Sequence, residues 1–295
     1  MEGRLHSAQL DRFFHNDRAT RESGHDASYR LLNDCADLVT VDLNSLLYKT
    51  ESDIAATIAS EFNGTLSLSG VVQRSADWRQ RAQKRKTLMM QFLWNEHRGM
   101  FFDYNVVTRK QTDFESAATF YPLWAGLASK SQASRLVAKA IPLLAMPGGI
   151  AGSTEQSRGP ITSARPQTQW DYPFGWAPHQ ILVWFALHRY HYDELAGDLA
   201  YRWLYSITLN ACDYNGTIAE KYDVVSRSAR VFAEYGNIGT KFAYITREGF
   251  GWTNASFVIG QTFLTHRQLD DLDRLVAPEW HQIEAATEPD REDVN

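Results

Sequence analysis

The stretch "QWDYPFGWAPHQILVWFALHRYH", residues 169–191, changes character at Pro178. Its first ten positions hold two tryptophans, a tyrosine, a phenylalanine, two prolines and a single carboxylate, Asp171, which is loop composition with an aromatic excess. The apolar run "ILVWFAL" at 181–187 follows, far too short to span a bilayer but suited to a buried helix. Proline is favoured in the first helical turn, where its missing N–H has no partner to lose, so the pattern predicts a helix from Pro178 to about His191. A partner helix is expected over about 193–212.

Working outward, the chain keeps alternating amphipathic helices with long loops. Leu43, Leu46, Leu47, Ile54, Ala55, Ile58 and Phe62 recur at helical spacing and stop at Asn63-Gly64. A second helix, capped by Ser75 or Asp77, is predicted to about His97, with "RAQKRK" at 81–86 on its solvated face. "MFFDYNVVTRKQ" after Gly99 reads as a short hairpin, and helices are expected over about 117–129 and 132–144. The Gly-, Ser- and Pro-rich segment 147–169 and the segment 213–251 read as loops, and Asn254 opens a last helix to about Arg267, with an amphipathic piece to about 285. Residues 1–37 read as polar and irregular. The expectation is an all-α chain of seven or eight paired helices, as in an α/α toroid, with no linker dividing it before an acidic tail.

Bulk properties exclude several functions. A net charge of -5 over 295 residues leaves no basic footprint for nucleic acid, and no segment has the length and apolarity of a membrane span. Cys35 and Cys212 lie far apart, which fits a reducing compartment better than a disulfide framework, and cytoplasmic residence is expected. Aromatics reach 13% with 9 Trp; most aromatic side chains fill cores, while flat faces also stack on sugars. Sugar hydrolysis needs one carboxyl group that holds its proton and one that is ionised. Asp26, Asp171 and Glu220 are loop carboxylates among aromatics, with Asp223 and Glu234 as outliers, and composition does not choose among them.

"QWDYPFGWAP" resembles the second signature of the trehalases, and "RESGHDASYR", "ADLVTVDLNSLLYKTE", "PGGIAGSTEQSRG", "NGTIAEKYDV" and "EYGN…REGFGWTNAS" are similar, in order, to blocks of the fungal neutral enzymes. The resemblance implies an (α/α)6 barrel and hydrolysis of α,α-trehalose with inversion, without metal or cofactor. It assigns Asp26 of "SGHD" as general acid and Glu220 of "EKYD" as general base, standing roughly 6.5–9.5 Å apart to admit a water. It places Arg21, Gly24, Trp170, Asp171, Trp176, Glu234, Phe250 and Trp252 around the sugar. Residues 1–283 would form the trehalase-like domain and 284–295 a disordered tail.

The family's first signature, of the PGGRF type, has no counterpart here, so the ring of twelve helices is expected to be incomplete. Its open side would then need a second copy or a regulatory partner, and activity is expected to fall. Three functions follow: a trehalase, a trehalase-like protein that binds trehalose or a trehalase partner without turnover, and a related glycosidase acting on another glucoside.

Overall fold

The computed structural model describes residues 7–231 and 251–279, together with the backbone of 233–234 and 241–242. The first element corrects the reading of 1–37 as irregular. Helix α1 spans Ala8–Glu22, started by Ser7, whose side chain accepts from the Leu10 N–H. It lacks an apolar stripe, which is why periodicity missed it; Arg18–Glu22 and Arg21–Asp17 ion pairs at i, i+4 support it instead. Gly24 follows with φ +82°, a left-handed turn that glycine makes without strain, and sends the chain into His25-Asp26.

Helix α2 (Val41–Glu61) doubles back through a hairpin, Thr65–Leu68 with Val71–Arg74, into α3 (Ser75–Phe92). The two pack along their lengths, with Ala55, Ile58, Ala82 and Met89 buried and Arg85 gripping Glu51 through two bonds of 3.0 and 2.8 Å. Neither Ser75 nor Asp77 is the cap: Ser75 is already helical, and its hydroxyl donates to the Ala55 carbonyl at 2.7 Å. The expected apolar face of α2 is also corrected. Leu43, Leu46, Leu47 and Phe62 are exposed, while Val41, Asp42, Ser45 and Glu51 face inward, because a buried ion cluster at Asp42 sets the helix's rotation.

Helix α3 ends before His97 because Trp94–Asn95 pairs with Met100–Phe101. The expected hairpin forms between Tyr104–Asn105 and Lys110–Gln111, with Leu38–Val39 as a third strand. The helix expected over 117–129 is instead a 3₁₀ turn, Ala117–Phe120, running into the short α4 (Tyr121–Trp124) and stopped by Gly126 at φ +71°. Helix α5 (Lys130–Leu144) starts on a reciprocal Ser129–Gln132 capping box, and the loop beyond it carries α6 (Glu155–Arg158).

Helices α7 (Ala177–Arg189) and α8 (Asp193–Asp213) follow the prediction closely, with Pro178 in the first turn. The helix expected over 254–267 ends earlier, as α9 (Gly251–Gln261), and the amphipathic piece expected after it starts at His266 as α10 (His266–Asp273), opened by a Thr265–Gln268 capping box. Gly260 lets α9 approach closely, since a Cβ there would sit 2.4 Å from Leu204 Cδ1. Among the described residues eight helices have eight or more residues, and one buried cluster runs continuously from Val41 to Leu272. Residues 284–295, assigned to a tail, lie outside the described residues.

Candidate active site

Three loops meet at the start of α7. Gln180, in its first turns, grips the Ile150 peptide from both sides, accepting its N–H at 2.8 Å and donating to its carbonyl at 2.7 Å. Gly152 then passes so close to the 169–176 segment that a Cβ there would lie 2.0 Å from the Trp170 carbonyl oxygen. That segment continues as a strand, Phe174–Trp176, pairing antiparallel with Lys221–Asp223 so that Trp176 stands opposite Lys221. Asn210 of α8 pins the returning chain by donating to the Arg227 carbonyl and accepting from the Ala229 N–H. Glu220 is thereby held beside the QWDYP block.

The indoles connect the two carboxylates. Trp170 and Trp176 stack face to face, 3.9 Å between centroids and 6° between planes, and Trp252 meets Trp176 edge-on at 5.7 Å. Trp170 Nε1 and Gln169 Nε2 both donate to Asp26 Oδ1, at 3.1 Å each. On the other indole, Lys221 Nζ lies 4.8 Å from the Trp176 centroid and donates to Glu220 Oε2 at 2.7 Å. Lys221 therefore places a cationic partner against Glu220, which is 8% exposed.

The other expected site residues are placed as follows. Gly24 and Trp252 line a cleft of about 550 Å³, together with His25, Asp42, Leu43 and Trp170. Asp171 is fully buried and engaged by the Ser28 hydroxyl, the Tyr29 N–H and the Thr168 hydroxyl; burial pushes its carboxyl up, and these bonds pull the other way. It ties the Asp26 loop to the QWDYP block. Arg21 is bonded to Asp17 at 2.9 Å, which raises its already high affinity for protons, and the charge of Asp26 adds to this. Asp223 caps the turn after its strand by accepting from the Val225 and Ser226 N–H groups. Glu234 contributes backbone to a short ribbon with Lys241, while its side chain and Phe250 lie outside the described residues. A second cleft of about 580 Å³ between α2 and α3, lined by Leu88, Phe92 and Tyr104, holds none of the expected residues.

Sequence reading missed what underlies the cleft. Arg30 holds Asp103 through two bonds of 2.7 Å and Asp42 through bonds of 2.8 and 3.2 Å, all three buried. Burial resists ionisation of Asp42, but the Arg30 guanidinium, bonded to both of its oxygens, outweighs it and holds its carboxyl well below the usual range. His25 Nδ1 lies 3.4 Å from Asp42 Oδ2, outside hydrogen-bond geometry, and its Nε2 meets His179 Nε2 at 3.1 Å. Burial pushes the proton affinity of both imidazoles down, that of His179 much further, and the charge of Arg30 adds to this.

Both histidines thus fold as neutral rings. Below the unfolded value of 6.5 the unfolded chain binds protons that the folded chain refuses, so their contribution is present above that pH and is lost beneath it. The thermal midpoint is expected to fall between pH 7.5 and 5.5, by the equivalent of about 1–3 kcal/mol for the pair. Thermal melts of the wild type and His179→Phe check this: the variant should show a shallower slope, and an equal slope would remove His179 from the account.

Comparison with known proteins follows the same lines. The family model described as Trehalase matches residues 1–265. The chain is 50% identical over 265 residues to a probable trehalase of Eremothecium gossypii, covering 89% of this chain and 36% of that protein. It is 49% identical to the cytosolic neutral trehalase of Pyricularia oryzae, covering 88% and 37%. The solved neutral trehalase Nth1 of Saccharomyces cerevisiae superposes with a TM-score of 0.82 at 44% identity, over 94% of this chain and 47% of that one. A GH63 mannosylglycerate hydrolase of Thermus thermophilus shares the fold at 19% identity and a TM-score of 0.53, over 76% of this chain and 48% of that one. The helical-barrel expectation is thus met, and the chain spans about a third of the length of the curated relatives it matches.

Proposed function

The chain belongs to the trehalase family, and from that premise we propose that it forms the acid- and base-bearing part of a hydrolase that cleaves α,α-trehalose with inversion. Asp26 is the general acid and Glu220 the general base. The observation that carries this reading is the stacked pair Trp170–Trp176, with Asp26 bonded to one indole and the Lys221–Glu220 pair seated on the other. Two carboxylates with different polar neighbours, joined by an apolar wall beside a cleft of about 550 Å³, suit a small neutral sugar.

In this reading Asp26 protonates the glycosidic oxygen while Glu220 takes a proton from the water attacking the other face of the anomeric carbon. Arg21, Gly24, Trp170, Trp176 and Trp252 border the sugar, Asp171 holds the loop that carries the acid, and Glu234 and Phe250 complete the pocket. No metal or cofactor takes part. The protein works in the cytosol, as the names of its relatives suggest. The exposed Leu10, Phe14 and Leu43 favour a covering surface, from a second copy or a regulatory partner.

The alternative reading is a protein that binds trehalose without turning it over. Proton NMR of the chain with trehalose separates the two. Equal early amounts of α- and β-glucose are expected, because only the attacked ring inverts; retention of α-glucose alone would refute inversion. Trehalose-dependent stabilisation with no glucose released would favour the binding protein.

A further inference from the structure

The hydrogen bonds around the two carboxylates are unevenly shared between their oxygens. Asp26 Oδ1 accepts from both Gln169 Nε2 and Trp170 Nε1, while among the described residues Oδ2 has no hydrogen-bond partner. Glu220 Oε2 accepts from Lys221 Nζ, and Oε1 has no partner among the described residues. An indole N–H only donates, and the carbonyl oxygen of a carboxylic acid is a better acceptor than its hydroxyl oxygen, so the Trp170 bond favours the proton on Oδ2 over Oδ1, whichever way the Gln169 amide is turned. The ammonium of Lys221 likewise carries donors alone and is kept in place by the Trp176 face at 4.8 Å.

We infer that each carboxylate is committed at one oxygen and reactive at the other: Asp26 carries its transferable proton on Oδ2, Glu220 receives the water proton on Oε1, and Trp170 and Lys221 are the positioning residues. This rests on the trehalase reading of the site. In the step itself the Oδ2 proton passes to the glycosidic oxygen as its bond to the attacked carbon breaks. A water oxygen bonds to that carbon and gives its proton to Oε1. One water is consumed, and solvent later returns a proton to Asp26 and removes one from Glu220.

The roles separate by leaving group. α-Glucosyl fluoride expels a weakly basic anion that needs little protonation, yet it still needs an activated water. Trp170→Phe keeps an aromatic face against Trp176 while removing the N–H donor. It should lower kcat for trehalose about 10- to 100-fold, the worth of a hydrogen bond to a charged group, and change fluoride turnover less than about threefold. Lys221→Met should lower both rates together. Equal losses on both substrates in Trp170→Phe would overturn the assignment and leave Trp170 as a wall of the pocket. Should the wild type hydrolyse neither substrate, the trehalase reading fails, and the oxygen assignment is decided by the Trp170 indole N–H resonance. That resonance should shift as Asp26 ionises across a pH titration and lose the response in Asp26→Asn; a resonance indifferent to both overturns the assignment by itself.

Discussion

Glu220→Gln is expected to reduce trehalose hydrolysis by about 10³-fold or more, near the upper range of what a general base contributes. Glutamine fills the same volume, so the fold around it persists, but it cannot accept the water proton. The substitution also removes the negative charge that lies 2.7 Å from the Lys221 ammonium, which is nearly buried against Trp176. Weakening a charge-assisted bond in a buried site costs stability, so a modest fall in melting temperature should accompany the lost activity. Initial rates and melting curves on the same preparation check both effects. A rate within tenfold of wild type would remove Glu220 from the mechanism.

Arg30→Met should have the largest effect on stability, about 3–5 kcal/mol, because it leaves Asp42 and Asp103 facing each other in the interior without their shared cation. The sign with pH identifies the cause. In the wild type the depressed carboxyl of Asp42 contributes stability above its ordinary value of 3.8, and that contribution is lost as pH falls beneath it. Without Arg30 the same burial favours the protonated acid, so the gap between variant and wild type should narrow on acidification. Denaturant melts at pH 7.5 and pH 5 measure this, and a gap independent of pH would point to lost packing instead. Because Asp103 Oδ1 also accepts the Val41 N–H at the start of α2, the variant should loosen the wall of the cleft that Leu43 and Leu46 line.

Local signals in the sequence were legible where the chain obeys them. Pro178 starts α7 as its position in the first turn requires, and Asn63-Gly64 ends α2. The break between α9 and α10 was expected but placed a few residues late, at about Arg267, although the capping-box spacing of Thr265 and Gln268 marks it. Helix α2 shows the limit of periodicity: its leucine stripe is real but faces the cleft, and the buried face is chosen by Arg30 and Asp103, which sequence alone does not bring beside Asp42. The site behaves likewise. The motif blocks marked Asp26, Trp170, Asp171 and Glu220, yet the bond that joins the first two crosses 144 residues of chain, and the contact between His25 and His179 crosses 154. His179 offered one local clue, a polar ring in the first turn of an otherwise apolar helix.

The parallel indoles of Trp170 and Trp176 have an optical consequence. At 3.9 Å their excited states are expected to couple and to give the pair a near-ultraviolet circular-dichroism signature that isolated indoles lack. Loss of that signature would report that the acid-bearing and base-bearing loops have come apart, with no added label. The protein carries its own spectroscopic gauge of site integrity, readable in a cuvette before any substrate is added.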